Sequence, residues 1–178
     1  MHLTSGTNLA AAVVDVEKVL KENPILNGII AGHTLHYYDA NNAEETFYLL
    51  SVFNSSIIDE LIKPMQSKGE FGECHICKKP LEYPIPRYNP ENPIHRKLSE
   101  LGREASETAQ RALPQIFKEY GYDERLRERG VLLPHEVATV RRRLREELGS
   151  LLEEIDALVV ELLEGAGQGS TIEQFLYG

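Results

Sequence analysis

The second half of the chain limits the fold most, because it contains two long stretches with apolar residues at helical spacing. Asn92 and Pro93 open the first stretch as a helix cap and a first-turn proline. Its apolar or small positions are Ile94, Leu98, Leu101, Ala105, Thr108, Ala112 and Ile116. Those of the second are Val137, Val140, Leu144, Leu148, Leu151, Ile155, Leu158 and Leu162, a heptad seam with one irregular step beside Gly149. The charged connector 121–130 permits the two helices to fold back as an antiparallel hairpin.

The first 90 residues have a different pattern, in which short helices alternate with extended segments. The predicted elements are a helix over Asn8 to Glu22, a strand or hairpin over Gly28 to Tyr38, a helix from Asn42 or Ala43, a helical segment over Ile57 to Met65, a loop over Ser67 to Gly72 and an extended segment over Leu81 to Pro86. We therefore predict an α+β fold. It consists of a small mixed α/β module (residues 1–90), a long antiparallel helical hairpin (91–164), and a flexible joint with a C-terminal tail (165–178).

The charge distribution separates the middle of the chain from its flanks. The 178 residues include 28 Asp and Glu against 19 Lys and Arg, a net charge of -9. This balance argues against a protein that binds nucleic acid over its whole surface, since phosphate neutralisation requires clustered cations. Residues 63–111, however, carry nine Lys and Arg against seven Asp and Glu, while both flanking parts are acidic. We therefore expect a local basic face on an acidic protein.

The sequence contains neither a membrane span nor a secretory signal that we can identify. No apolar run approaches the roughly 18 residues that a spanning helix needs. Residues 1–7 have no basic region ahead of an apolar stretch. We therefore expect a cytoplasmic protein.

No set of residues in the sequence forms a complete catalytic motif. A glycine-rich phosphate loop, Gly-x-Ser-x-Gly, His-Glu-x-x-His and an acidic metal cluster are all missing. The carboxylate pairs of the second long helix, Glu146-Glu147 and Glu153-Glu154, are typical of a solvated face. That helix also carries Arg141, Arg142, Arg143 and Arg145 near its start. Two interpretations of these arginines stay open, namely pairing with neighbouring glutamates and contact with phosphate.

The two cysteines of the chain, Cys74 and Cys77, form a Cys-x-x-Cys pair with His75 between them. A structural zinc site needs four ligands, and no second pair of ligands follows. His33, His36 and His95 complete a site only if the fold brings them together. The cysteines are therefore weak metal candidates, and a redox dithiol or two thiols without a special role are the other interpretations.

Two groups of residues before position 90 are candidates for contact with nucleic acid. Tyr37 and Tyr38, flanked by histidines, provide aromatic rings that stack on bases or pack in the core. The loop over residues 66–72 combines amide, hydroxyl and ammonium donors with glycines; its candidates are Gln66, Ser67, Lys68 and Gly69. Glutamine reads adenine with two hydrogen bonds, and lysine binds guanine or phosphate.

The order of several motifs resembles the target-recognition region of adenine-specific DNA methyltransferases from restriction-modification systems, and is similar to the DNA specificity subunits of type I restriction enzymes. The segments that carry the resemblance are Phe47 to Ser55, Ile62 to Gly72, Leu81 to Tyr88, Asn92 to Leu101 and Glu154 to Val159. The likeness extends over roughly residues 30–163 and lies in the order and spacing of the motifs.

The resemblance implies that this chain is a DNA sequence-recognition fragment of such a methyltransferase, without its own catalytic domain. The family's Asn-Pro-Pro-aromatic motif and its S-adenosylmethionine loop do not occur here. We therefore expect no cofactor on this chain and S-adenosylmethionine only in a missing catalytic domain. The implied phosphate contacts are Lys63, Lys68, Lys78, Lys79 and Arg87, with base readout around Gln66. The implied partners are double-stranded DNA and a methyltransferase or restriction catalytic domain or subunit, without a membrane.

The heptad seam supports an alternative from another class. In this hypothesis the chain is a helical protein-interaction subunit, and the seam from Val137 to Leu162 forms a coiled coil with a partner or with a second copy. The role in DNA recognition is then indirect or lost.

Overall fold

The structure is a computed structural model that describes residues 2–3, 9–28, 35–40, 42–65, 67–68, 74–75 and 84–165. Its helices are α1 (Val16–Glu22), α2 (Ala43–Asn54), α3 (Ser56–Ile62), α4 (Pro93–Tyr120), α5 (Tyr122–Arg129), α6 (Pro134–Glu147) and α7 (Gly149–Gly165). A single 3-10 turn, Lys63–Met65, follows α3. The strands of the described part are β1 (His2–Leu3), β2 (Leu35–His36), β3 (Ser67–Lys68) and β4 (Cys74–His75).

The prediction of an α+β fold is wrong, because the described chain is mostly helical. Its strands have two residues each and form two separate antiparallel pairs, β1 with β2 and β3 with β4. Strands of this length have no face large enough to build a core layer. The strand predicted over Gly28 to Tyr38 is limited to β2 in the described residues, and positions 29–34 lie outside them.

The N-terminal helix also begins later than the sequence pattern predicts. Residues 9–15 are not helical, and α1 starts at Val16 with the Asp15 carboxylate accepting from the Lys18 amide at 2.9 Å. The preceding backbone is bound by the two helices that follow: the Leu9 amide donates to Asp59 at 2.7 Å, and Ala11 exchanges two hydrogen bonds of 3.0 Å with the Asn54 side chain. These long-range bonds replace the local ones that a helix would have made.

Helix α2 begins where the sequence predicts, because the Asn42 side chain accepts from the Glu45 amide at 2.8 Å. The helix packs closely on α4. Gly102 of α4 lies against the Phe47 carbonyl, and the Ser51 hydroxyl donates to the Leu98 carbonyl at 2.6 Å. On the side of α2 that faces the core, Tyr48, Leu49, Val52 and Phe53 are buried, whereas Phe47 and Leu50 are only half-buried.

Helix α3 is fixed at its start by side chains from two directions. The Ser55 hydroxyl accepts from the Ile58 amide at 3.2 Å. Asp156 of α7 accepts from the Ser56 amide at 2.9 Å and from the Ser56 hydroxyl at 2.5 Å. A carboxylate at a helix N-terminus is favourable for the free amides of the first turn. The pair therefore attaches α3 to the C-terminal helix.

Helix α4 continues through Pro114 and ends at Gly121, whose φ of 65° is readily adopted only by glycine. The residues predicted as a charged connector form α5, which ends at Gly130 in the same way. The predicted second long helix is divided at Leu148 into α6 and α7, next to the irregular step in its heptad pattern. The break is small, since the Leu152 amide still donates to the Leu148 carbonyl at 2.9 Å.

Helices α6 and α7 run back along α4, so that one apolar core extends from the first half of the chain into the second. Its buried residues are Leu9, Tyr48, Leu49, Val52, Phe53, Ile58, Ile62, Ile85, Leu98, Leu101, Ile155, Val159 and Leu162. The core therefore crosses residue 90, where the sequence analysis places a domain boundary.

A second, smaller core lies at the distal end of the hairpin, where Ile116, Tyr122 and Val140 meet. Glu136, 1% exposed, accepts from Arg125 at 2.8 Å and from the Leu133 amide at 2.7 Å. Arg129 donates to both of its carboxylate oxygens at 2.8 and 2.9 Å. The Leu133 amide, followed by Arg125 and Arg129, lowers the pKa of Glu136 from 4.5 to about 2. This network fixes α5 against α6.

Candidate nucleic-acid interface

The segment of residues 63–87, which contains most of the predicted DNA contacts, leaves the core and returns to it at two buried positions. Ile62 precedes it and Ile85 lies near its end, and both side chains are fully buried in the main core. The Tyr48 hydroxyl of α2 donates to the Pro86 carbonyl at 2.7 Å. Both ends of the segment are therefore attached to the same helical scaffold.

Within this segment the backbone makes a short antiparallel pairing. Ser67 lies opposite His75 and Lys68 opposite Cys74, with residues 69–73 between the two strands. The predicted open loop is thus replaced by paired backbone at two of its positions, Ser67 and Lys68. Of the predicted contact residues, Gln66, Gly69, Lys78 and Lys79 lie outside the described residues.

Lys63, at the start of the segment, is held by a carboxylate one turn earlier. Its ammonium lies 3.0 Å from Asp59, and its side chain is about half exposed (48%). Asp59 also accepts the amide of Leu9, which orients the carboxylate. A phosphate at Lys63 would therefore have to share the ammonium with Asp59, so we expect a weaker contact than a free lysine would make.

The predicted tyrosine pair is divided between surface and core. Tyr37 is 64% exposed. The Tyr38 hydroxyl instead donates to Glu45 at 3.2 Å, and burial, with the nearby Glu45 charge and hydrogen bond, raises the pKa of Tyr38 to about 12. Arg87 acts on the same hydroxyl with the opposite sign, so this exposed arginine lies near Tyr38. Only Tyr37 of the pair is available for stacking.

An aromatic cluster that the sequence patterns did not indicate supports the described end of the 63–87 segment, residues 84–87. The His95 ring stacks on Tyr48 at 4.8 Å, and Tyr88 lies 5.6 Å from Tyr48. The His95 Nδ1 accepts from the Asn89 amide at 2.9 Å, and burial lowers the pKa of His95. The cluster holds Tyr88 and Asn89 against the start of α4, next to Arg87.

Two concave surfaces adjoin this region. A cleft of about 500 Å³ lies between the return of the segment and the end of α7, and Arg87, Tyr88, Asn92 and Glu161 contribute to its lining. A wider groove of about 930 Å³ runs beside α2, where Val13, Val14 and Tyr37 expose apolar surface.

The possible metal ligands are not gathered in the part of the chain that the structure describes. Cys74 and His75 lie on β4, while Cys77 and His33 are outside the described residues. His95 is buried and bound to the Asn89 amide. Among the described residues, no three His, Cys, Asp or Glu side chains lie close enough to hold a metal ion.

Comparisons of the chain with models of protein families, with curated proteins and with solved structures gave no match. None of the helices in the described ranges has the length and low charge that a membrane span requires. The proposed function therefore rests on the resemblance of the sequence motifs and on the geometry of the described residues.

Proposed function

We propose that this chain recognises DNA for an adenine-specific methyltransferase of a restriction-modification system. Methyl transfer from S-adenosylmethionine is then the task of a separate catalytic domain or subunit. The 63–87 segment contacts double-stranded DNA, and the helical hairpin spaces this contact from the catalytic part or docks on it. The cytoplasm is the location that this function implies.

The observation that carries the proposal is the attachment of a cationic segment at both ends to a buried scaffold. Residues 63–87 carry five Lys and Arg against three Asp and Glu in a chain with a net charge of -9. Ile62 and Ile85 are fully buried at its two ends, and Tyr48 holds the Pro86 carbonyl. Binding loops are commonly held in this way, because a fixed frame reduces the entropy that is lost on contact with a ligand.

Within this proposal the residues have distinct tasks. Lys63, Lys68, Lys78, Lys79 and Arg87 neutralise phosphates, which supplies affinity without sequence information. Gln66, together with Ser67 and Gly69, approaches the base edges. Tyr37 is the exposed ring of the pair and stacks or packs against the duplex. Tyr38 supports this surface through its hydrogen bond to Glu45.

The proposal is tested by fluorescence anisotropy of labelled duplexes containing adenine, titrated with the full chain at several salt concentrations. We expect Arg87→Gln, and separately Lys68→Ala with Gln66→Ala, to weaken binding. Each lost phosphate contact should reduce the slope of log affinity against log salt by about 0.9. Lys21→Gln is the control, because this lysine is exposed on α1 and the change removes one positive charge, as Arg87→Gln does.

The expected result has two parts, weaker binding by the segment variants and unchanged binding by the α1 control. If the unaltered chain does not bind duplex DNA at low salt, or if all variants bind equally, the proposed function is wrong. Equal losses in segment and control variants would also contradict it, because they would indicate a response to total charge alone.

The alternative function, a helical subunit that pairs through the Val137 to Leu162 seam, requires that seam to be available. In this chain Val140, Ile155 and Leu162 of the seam are buried against other parts of the same molecule. Sedimentation equilibrium distinguishes the two functions. Concentration-dependent dimers that Leu158→Asp abolishes would favour the alternative.

A further inference from the structure

Helix α6 carries a face of exposed arginines, two of which form no ion pair with the described residues. Its members, named here the arginine face, are Arg141, Arg142 and Arg145, all exposed. Arg142 lies 3.2 Å from Glu146, yet 64% of its side chain is exposed. Arg141 and Arg145 form no ion pair with any residue in the described ranges. Two full positive charges therefore face solvent on an acidic protein.

The position of the carboxylates shows why these two charges stay unpaired. Arg141 and Arg145 are four residues apart and share one side of the helix. Glu136 and Glu147 of the same helix lie more than about 100° around the axis from either arginine at 3.6 residues per turn. Glu136 is also occupied by Arg125 and Arg129. Glu136 and Glu147 are thus out of reach of Arg141 and Arg145, while Glu146 of the same helix pairs with Arg142 and Arg143.

In contrast, Arg143 points toward α4 and is neutralised there. It lies 3.6 Å from Glu119 and is also paired with Glu146. Only 27% of its side chain is exposed. The four arginines near the start of α6 therefore divide into one that joins helices and three on the solvent side.

The arginine face is also held by a rigid support. Val140 is buried in the distal core with Ile116 and Tyr122. The buried Glu136 fixes α5 against the start of α6 through hydrogen bonds to Arg125 and Arg129. A surface that is preorganised in this way loses little entropy when a ligand binds.

The length of α4 between its start, where residues 84–88 pack, and the level of the arginine face is close to the repeat of DNA. Val140, next to Arg141, packs with Ile116, which lies 23 residues beyond Pro93 at the start of α4. At 1.5 Å per residue this corresponds to roughly 35 Å along the hairpin. One turn of B-DNA is about 34–36 Å long, so equivalent phosphates recur at nearly this distance.

We propose that the arginine face is a second DNA contact, which binds phosphates about one helical turn from the recognition segment. This inference rests on the proposed function. The hairpin then acts as a ruler, because it fixes the distance between a segment that reads bases and a face that holds the backbone. The ligand is the sugar–phosphate backbone of a duplex, without sequence preference at this second contact.

The experiment compares two DNA probes with the full chain. One is a hairpin stem of about 8 base pairs, roughly 27 Å long at 3.4 Å per pair, and the other a duplex of about 24 base pairs, roughly 82 Å long. The variant is Arg141→Gln with Arg145→Gln, and the control is Lys21→Glu on the exposed side of α1, which makes the same change in net charge. Melting curves confirm that both variants are folded, as expected for exposed residues.

On the long duplex, the arginine variant should reduce the salt slope by about 1.8. Between about 50 and 200 mM salt it should therefore lose about 12-fold less affinity than the unaltered chain. On the short stem the two proteins should bind equally. The α1 control should behave as the unaltered chain on both probes.

Each other outcome distinguishes the two proposals. If segment variants weaken binding and the arginine variant does not, the inference is wrong and the proposed function stands. If only the arginine variant weakens binding, the proposed function is wrong. An equal loss on both probes overturns the one-turn spacing, and displacement of the duplex by poly-glutamate at matched charge indicates an acidic protein partner instead.

Discussion

Replacement of Gly102 by alanine tests the close packing of α2 on α4, on which the scaffold depends. A Cβ at this position would overlap the Phe47 carbonyl oxygen and the Ser51 hydroxyl. Neither atom is free to move away. The carbonyl belongs to the backbone of α2 and accepts from Ser51 at 3.1 Å, while the same hydroxyl is tied to the Leu98 carbonyl at 2.6 Å. The added methyl must therefore push the two helices apart.

The size of the effect follows from two opposed contributions. Overpacking of a tight core costs about 1–3 kcal/mol. Alanine returns up to about 1 kcal/mol through its higher helix propensity. We expect a net loss of about 1–2 kcal/mol in the free energy of unfolding, which lowers the Tm of a chain of this length by roughly 2–8 °C. Thermal melting followed by circular dichroism measures this change.

Gly149→Ala is the matched control, because an added Cβ there meets no atom within 4 Å. The same substitution in open space should raise the Tm by up to about 4 °C through helix propensity. The two glycines therefore have opposite expected signs. A Gly102→Ala protein that melts at or above the unaltered chain would refute the close contact of α2 with α4.

Two further predictions concern buried polar groups. Tyr48→Phe removes the hydrogen bond to the Pro86 carbonyl and should lower the free energy of unfolding by about 0.5–1.5 kcal/mol, measured by chemical denaturation. The same variant should bind DNA more weakly in the anisotropy assay. Tyr88→Phe is the control and should change neither the free energy of unfolding nor DNA binding. Glu136→Gln should lower the Tm at pH 7, because the pKa of Glu136 is depressed from 4.5 to about 2 in the folded chain. Its stabilising effect is present above pH 4.5 and is lost as the pH falls toward 2, so the Tm difference should narrow over that interval. Glu147→Gln on the same helix is the control, and a difference that does not vary with pH would contradict this cause.

The parts of the fold that the sequence predicts are those fixed by neighbouring residues. Asn42 caps α2, and Asn92 with Pro93 opens α4, where the Asn92 side chain accepts from the Ile94 amide at 2.9 Å. Both signals lie within a few residues of the structure they determine. The start of a helix could therefore be predicted from the sequence where its capping residues lie within one turn of it.

The errors come from bonds between distant residues. The helix predicted from Asn8 begins at Val16, because Asp59 and Asn54 hold the backbone of Leu9 and Ala11. These partners are 50 and 43 residues away. No local sequence pattern predicts a bond between such distant residues. A run of alanine and valine is compatible with a helix as well as with the extended backbone seen here. The prediction of an α+β fold failed for the same reason, since apolar residues of the first half pack in one core with residues of α4 and α7.

The sequence predicted which residues make up the candidate site, but it did not predict which residues hold that site in place. The positive balance of the middle segment and its lysines could be read from the sequence, yet Tyr48 and His95, which hold its return, could not. They lie 47 residues apart and meet only because α2 packs on the start of α4. Likewise, the arginines of α6 are uniform in the sequence, and only the position of Glu119 on α4 separates Arg143 from the other three.

On the proposed function, the excess of negative charge limits the places at which DNA can approach the protein. Phosphates are repelled by most of an acidic surface, which weakens contact with DNA of the wrong register more than contact at a matching site. Surface carboxylates such as Glu154, which pairs with Lys97 at 3.1 Å, also remove cations that would otherwise bind any duplex. The cations without such partners then decide where DNA can approach. On the proposed function, acidity is therefore part of the specificity of this protein, while the net charge of -9 lowers its overall affinity for a polyanion.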